Sequence, residues 1–324
     1  MRAIEYTQFG PPLQVLRSVD VPVPVPGQGE VLLRVRAASI NAMDYRLIPG
    51  KPRMVRLFAR RMRKAGAIRI GVDVAGDVEA IGPGVTRFQP GDAVFGVCRG
   101  AFAEYACAAE DRLVAKPDNT GYAEAAAVPV AAITALQGLR DRGRLQQGQQ
   151  VLVDGASGGV GTFAVQVAKA LGAEVTAVCS TGNVAIARTL GADHVVDYRR
   201  EDFLHDTRRY DVVFAANAHR SLVDYRHVLR PGGIHVMAGG GMPQIAQGFL
   251  LAPLLSRLTG KRSVLLMAKI NHPDLETLAD MLASGALAPV IERRYPLHEA
   301  AKAVAYVAEG HAKGKVVVEM SQQR

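Results

Sequence analysis

At 324 residues the chain is too long for one ordinary domain and suits about two. Hydrophobic residues make up 49% and charged residues 21%, a normal balance for a packed soluble protein, and 33 glycines suggest many tight turns or backbone lying close to a ligand. The net charge of +9 is local: residues 51–70 hold Lys51, Arg53, Arg56, Arg60, Arg61, Arg63, Lys64 and Arg69 with no acid, whereas a nucleic-acid binder spreads its basic residues over a face.

The opening MRAIEYTQFG lacks the apolar stretch of a signal peptide, and the apolar run 245–258 is short and broken by Pro253, so a cytoplasmic location with no membrane span is expected. Cys98, Cys107 and Cys179 are odd in number and far apart, which argues against a disulfide framework and a Cys-rich zinc lobe.

In chain order, residues 21–29 are rich in Pro and Gly and read as an extended connection. Residues 30–38 alternate apolar and charged side chains at period two, as a half-buried strand does. A Gly-rich β region follows over 71–102, with turns at Gly82-Pro83-Gly84 and Pro90-Gly91-Asp92, and the whole suggests a partly open β barrel. The grammar changes near residue 123, where an Ala-rich helical stretch begins. Strands are predicted at 151–153, 175–179, 194–197, 211–214 and 234–238, with helices at 160–171, 184–190 and 221–229. That alternation implies right-handed crossovers and a doubly wound parallel sheet of the Rossmann type. A helix at 274–283, an extended 290–295, a helix from His298 and a strand at 315–319 resemble the first third, so the tail is expected to return to the β-rich domain.

The chemistry concentrates in VLVDGASGGVGTFAVQVAKALGA. A strand ends at Asp154, and Gly155 to Gly161 leads straight into a helix. A pyrophosphate needs backbone N–H groups with no Cβ in the way, and it gains from the positive end of a helix. Gly158 and Gly159 meet the first need, the helix opening near Val160 meets the second, and Gly161 lets that helix pack on the sheet. Sites for NAD place an acid at the end of the second strand, about 20 residues beyond the glycines. Here that place reads Cys179-Ser180-Thr181-Gly182-Asn183. Hydroxyls accept a 2′-phosphate without repelling it, and Tyr198 adds a donor, so NADPH is expected over NADH. Ser180 and Thr181 also suit a plain helix cap.

Several segments together resemble the medium-chain dehydrogenase/reductases, in the zinc-independent quinone oxidoreductase branch that includes zeta-crystallin. They are AASINAMDYRLIPG, GVDVAGDVEAIGPGV, RFQPGDAVFG, GAFAEYA, AAAVPVAAITALQGL, GASGGVGTFAVQVAKALGA, LGADHVVDY, LRPGGIHVMAGGG and GKVVVE. The resemblance implies a GroES-like β domain built from residues 1–124 and 270–324 around a Rossmann domain at 125–269, with the cofactor in the cleft and a homodimer as the assembly. It implies that Asn41 lies by the nicotinamide and polarises the substrate oxygen, although an Asn there also suits a turn bonded to its own backbone. It further implies that Thr134, Gly239 and Gly240 line the nicotinamide end. Ser157, Gly158, Gly159 and Val160 would hold the pyrophosphate; Ser180, Thr181 and Tyr198 would hold the ribose phosphate; Lys315 would reach the cofactor from the tail. Zinc enzymes of the superfamily carry a Cys where Asn41 stands and Gly-His-Glu where this chain has Gly71-Val72-Asp73, so no metal is expected.

The chain departs from the branch in places. A Tyr that often follows the Asn-x-x-Asp motif is replaced by Pro52 or Arg53, Gly182 occupies a place where Lys or Arg is common, and Ala215 to Ala218 stand where relatives favour an Asp and a Gly. The predicted reaction is hydride transfer from NADPH to a quinone or α,β-unsaturated carbonyl. The alternatives are an alcohol or ketone oxidoreductase acting on a C–O bond, and a weakly catalytic NADPH- or RNA-binding module that the basic insert would serve. Residues 242–261 are read as an apolar wall of a pocket, or as core or dimer packing.

Overall fold

The computed structural model describes residues 1–50, 67–241, 244 and 260–320. Most of the basic insert and of the apolar stretch 242–261 therefore lies outside the described residues. Two compact units emerge: Met1–Val130 together with Ile270–Arg324, and Ala131–Lys269.

The first unit is β-rich. Its larger sheet runs Ile291–Pro296, Lys315–Glu319, Glu30–Ser39, Asp73–Ile81, Ala93–Val97, Leu113–Ala115, and Tyr105–Ala109 also pairs with Glu30–Ser39. The alternation in EVLLRVRAAS sets its faces. Val31, Leu33 and Val35 enter a core with Tyr6, Phe102 and Leu113, while Arg34 and Arg36 turn outward to Asp77. The tail strand Lys315–Glu319 lies antiparallel to Glu30–Ser39, with Val317 opposite Ser39. Asp73 on the next strand is also opposite Ser39. This register, which couples residues far apart in sequence, builds one end of the site.

The first unit runs on past the expected boundary at 124 to Val130, whose N–H donates to Asp73 of that unit's sheet at 3.0 Å. A small antiparallel sheet of Arg17–Asp20, Arg2–Tyr6 and Ile68–Arg69 was not legible, because its strands are short and lack clear alternation.

The second unit carries a six-stranded sheet in the order His194–Asp197, Glu174–Cys179, Gln150–Asp154, Tyr210–Ala215, Leu229–Met237, Arg262–Leu265, every pair parallel. In order of appearance this is 3-2-1-4-5-6, the Rossmann arrangement. The central strand Val151-Leu152-Val153 is fully buried, as a sheet covered on both faces requires. Two details differ from the sequence reading. The fifth strand begins at Leu229 rather than 234, running through Pro231-Gly232-Gly233 with a shift of register. A sixth strand, Arg262–Leu265, completes the edge.

Candidate active site

In the first unit the strand Glu30–Ser39 ends and Asn41 caps the short helix Ala42–Arg46. Around it the sheet register gathers four buried polar groups: Ser39, Asp44, Asp73 and Lys315. Asn41 Nδ2 donates to Asp73 Oδ2 at 2.8 Å, and Lys315 Nζ donates to Asn41 Oδ1 at 2.7 Å. Lys315 Nζ also donates to Ile40 O at 3.1 Å and pairs with Asp73 Oδ2 at 3.4 Å. Asp73 takes further hydrogen bonds from Ser39 Oγ at 2.8 Å and from the Val130 N–H at 3.0 Å. The Asn41 amide is therefore engaged by two charged residues far away in sequence. Val72 stands beside Asp73, and among the described residues no three His, Cys, Asp or Glu side chains gather as metal ligands would.

Asp44 accepts the Asn41 N–H at 2.7 Å and the Gly71 N–H at 3.2 Å. Burial, reinforced by the nearby Asp73 charge, raises its carboxyl to about 7 against the pull of those two donors and of Lys315. Burial likewise lowers the Lys315 ammonium, with Asp73 and Asp44 opposing.

In the second unit the strand Gln150–Asp154 leads through Gly155 to the helix Gly159–Ala170, whose N-cap Gly158 provides no side-chain cap. Its first N–H groups suit an anion. Two glycines here serve different ends. A Cβ at Gly161 would lie 2.0 Å from Gly155 O, so close packing of helix on turn excludes any other residue. At Gly158, φ is −82° and a Cβ would meet nothing nearer than Gly155 O at 3.5 Å. Neither backbone nor packing demands glycine there, and the open face is what a pyrophosphate needs.

Asn183 binds this turn to the end of the second strand. Its Nδ2 donates to Ser157 Oγ at 3.1 Å and to Ser180 Oγ at 3.0 Å. Tyr198 follows directly, its N–H on Cys179 O at 3.1 Å. Ser157, Gly158, Gly159, Val160, Ser180, Thr181 and Tyr198 thus gather beyond the carboxyl ends of three neighbouring strands, where open α/β sheets bind ligands. The acid missing from the second strand's end has a counterpart on the third, since Asp197 is in register with Cys179. The Thr181 hydroxyl, donating to it, holds the Asp197 carboxyl below its usual range, and the Arg199 N–H bonds it at 3.1 Å.

Gly239 and Gly240 follow the fifth strand and pack on the turn after the fourth. The Ala218 N–H meets Gly239 O at 3.0 Å, and a Cβ on Gly239 would come 2.5 Å from Ala216 O. Thr134 is half-exposed on the helix Pro129–Leu136. Sequence reasoning missed Asp44, Asp73 and Asp197 as parts of these clusters, and the bridge that Asn183 makes from Ser157 to Ser180. Only the Asn-x-x-Asp spacing, which sets Asp44 on the Asn41 N–H, left a signal.

Residues 27–118 match the alcohol dehydrogenase GroES-like domain, and residues 190–318 match a family described as zinc-binding dehydrogenase. The chloroplast envelope quinone oxidoreductase homolog of Arabidopsis thaliana is 35% identical over 98% of both chains. The chain belongs to the medium-chain dehydrogenase/reductase superfamily, in its zinc-independent quinone oxidoreductase branch. A trans-enoyl reductase of Aspergillus terreus is 29% identical, covering 99% of this chain and 97% of the other. The structure of the quinone oxidoreductase from Coxiella burnetii superposes with a TM-score of 0.86 at 30% identity, covering 99% of each chain. A medium-chain dehydrogenase/reductase works with a nicotinamide cofactor, and the open Gly158 face with its uncapped helix fits one.

Proposed function

We propose that this protein is an NADPH-dependent, zinc-independent reductase that delivers hydride to a quinone or an α,β-unsaturated carbonyl. The observation that carries it is the uncapped, Cβ-free turn at Gly158 and Gly159, tied through Asn183 to the hydroxyls of Ser157 and Ser180. NADPH when bound supplies the hydride from C4 of its nicotinamide. Ser157, Gly158, Gly159 and Val160 hold the pyrophosphate through backbone N–H groups. Ser180 and Tyr198 donate to the 2′-phosphate, and Thr181, whose one O–H goes to Asp197, lines the site beside them, while Thr134, Gly239 and Gly240 border the nicotinamide. The preference for NADPH is supported by Asp197, the nearby acid. Its carboxylate is already filled by Thr181, the Arg199 N–H and Arg200, the last at 3.6 Å, so it does not seek a ribose diol. The Asn41 amide N–H donates to the acceptor oxygen as negative charge develops there.

The resemblance to quinone and enoyl reductases supports a conjugated acceptor over a simple ketone. A cytoplasmic homodimer is the compartment and assembly that accompany this reading. Titration with NADPH and NADH, followed by NADPH oxidation with a panel of enones and quinones, tests it. The expected result is tighter binding of NADPH by tenfold or more, and turnover with at least one conjugated acceptor. Equal affinity for the two cofactors removes the 2′-phosphate assignment. Turnover confined to simple alcohols and ketones moves the reaction to the C–O bond.

A further inference from the structure

We infer that Lys315 and Asp73 are positioning residues, which clamp the Asn41 side-chain amide in one orientation and strengthen the N–H it offers to the acceptor oxygen. The inference rests on the role of Asn41 proposed above.

An asparagine amide has nearly the same shape whichever way it is turned, so its surroundings decide which end is which. Here they decide it by charge. Oδ1 faces an ammonium at 2.7 Å and Nδ2 faces a carboxylate at 2.8 Å. A flipped amide would set NH₂ against the ammonium and C=O against the carboxylate, and both contacts would repel. The three groups are nearly inaccessible: Asp73 is 0%, Lys315 3% and Asn41 9% exposed. Water therefore does little to screen the preference.

The donor count separates this role from direct cofactor binding. An ammonium has three donors. Those of Lys315 go to Asn41 Oδ1, Ile40 O and Asp73 Oδ2, all within the first unit. None remains for a phosphate or a ribose. The Asn41 amide has two N–H bonds, and Asp73 accepts one of them. The other is the donor left for a substrate. A cation on the carbonyl end of an amide withdraws electron density, and hydrogen bonds in series polarise one another, so Lys315 makes that second N–H a better donor. Asp73 balances the buried charge, and its own position is fixed by Ser39 Oγ and the Val130 N–H.

The test uses four variants of the full chain: Asn41→Ala, Lys315→Met, Asp73→Asn with Lys315→Met, and Asn41→Ala with Lys315→Met. Removing one member of a buried pair leaves an unpaired charge and risks the fold, whereas the double neutral variant does not. Three results are expected. The kcat for enone reduction falls roughly 10- to 100-fold in Lys315→Met and in the double neutral variant, within the range for loss of an oriented donor. The Kd for NADPH stays within about twofold to threefold of the parent, as suits a group that reaches the cofactor only through Asn41. In the Asn41→Ala background Lys315→Met lowers kcat by less than about twofold, because nothing is left to position.

A Kd for NADPH raised tenfold or more would make Lys315 a cofactor ligand instead. A folded double neutral variant with parental kcat, or equal losses with and without Asn41, would overturn the clamp. Hydrogen exchange of the Asn41 side-chain amide, followed by ¹⁵N NMR on selectively labelled protein, tests the clamp independently of turnover. Exchange at least tenfold slower in the parent than in the double neutral variant is expected, and equal rates would overturn the proposal. A parent that reduces none of the enones and quinones tested, yet shows slow amide exchange, would remove the proposed reaction and leave the clamp standing.

Discussion

Single atoms separate the two glycines of the cofactor turn. A methyl at Gly161 meets Gly155 O at 2.0 Å, deep in a turn that has no room to relax. Gly161→Ala is therefore expected to destabilise the fold by about 2 kcal/mol or more and to abolish NADPH binding with it. A methyl at Gly158 meets only Gly155 O, at an ordinary 3.5 Å, so Gly158→Ala should leave the melting temperature nearly unchanged while weakening NADPH by tenfold or more. Thermal melts read beside a cofactor titration check both. A Gly158→Ala protein that binds NADPH as the parent does would mean that the ligand does not approach this face. The turn these glycines form, and the close packing at Gly161, were legible because the motif is contiguous. The partners of Asn41 were not, since Asp73 lies 32 residues away and Lys315 lies 274 residues away. Only strand register brings them together, and nothing local encodes it. Asn183 was read as part of a polar strand end, but its bridge from Ser157 to Ser180 depends on how two loops approach.

At the scale of elements, the helix Leu222–His227 is fastened to the sheet by Tyr225. Its hydroxyl donates to Asp154, and its ring stacks on His235 at 4.6 Å. Both ring nitrogens of His235 are buried without a hydrogen-bond partner among the described residues, and burial, aided by Arg226, pulls its pKa down to about 3. A depressed histidine stabilises the fold fully above its unfolded pKa near 6.5, and that contribution is lost as pH falls from there through 3. His235→Phe keeps the stacking and removes the titration. Its stability near pH 7.5 is expected within about 1 kcal/mol of the parent, because no hydrogen bond among the described residues is broken. Between pH 6 and 4 the parent should lose up to about 1.4 kcal/mol per pH unit that the variant keeps. Denaturant melts across that range measure it, and parallel curves would show that His235 does not titrate as described. Asp44 works in the opposite sense. Its carboxyl, raised to about 7, favours the fold below pH 4 and withdraws that support as pH rises through 7, so the two residues oppose each other over much of the same range.

Most strands were readable from apolar runs and flanking turn residues, and the order of the parallel sheet followed from alternation with helices. The edge strand Arg262–Leu265 escaped notice because it is short and follows a long apolar stretch that dominates the local pattern. The fifth strand was truncated because Pro231-Gly232-Gly233 reads as a turn, yet it continues a ladder whose register shifts there.

Across the whole molecule, the division into a β-rich unit closed by the tail and a parallel-sheet unit was legible because period-two alternation gives way to strand–helix alternation near residue 123 and reverts after 270. The proposed cofactor ligands lie in the unit Ala131–Lys269, so saturation should raise the unfolding temperature by mass action. At a hundredfold excess over Kd the gain is about 2.7 kcal/mol. At equal concentration NADH should raise it less. Scanning calorimetry with each cofactor reads the difference, and identical shifts would speak against a 2′-phosphate site.

The central claim is hydride transfer to a conjugated acceptor without zinc. Its most direct test follows NADPH deuterated at C4, in each of its two stereochemical forms, through one turnover with an α,β-unsaturated ketone after exhaustive chelation of metals. The account predicts undiminished turnover and deuterium from one of the two forms, at the carbon β to the carbonyl. Activity lost on chelation and restored by zinc, or deuterium at the carbonyl carbon, would contradict it.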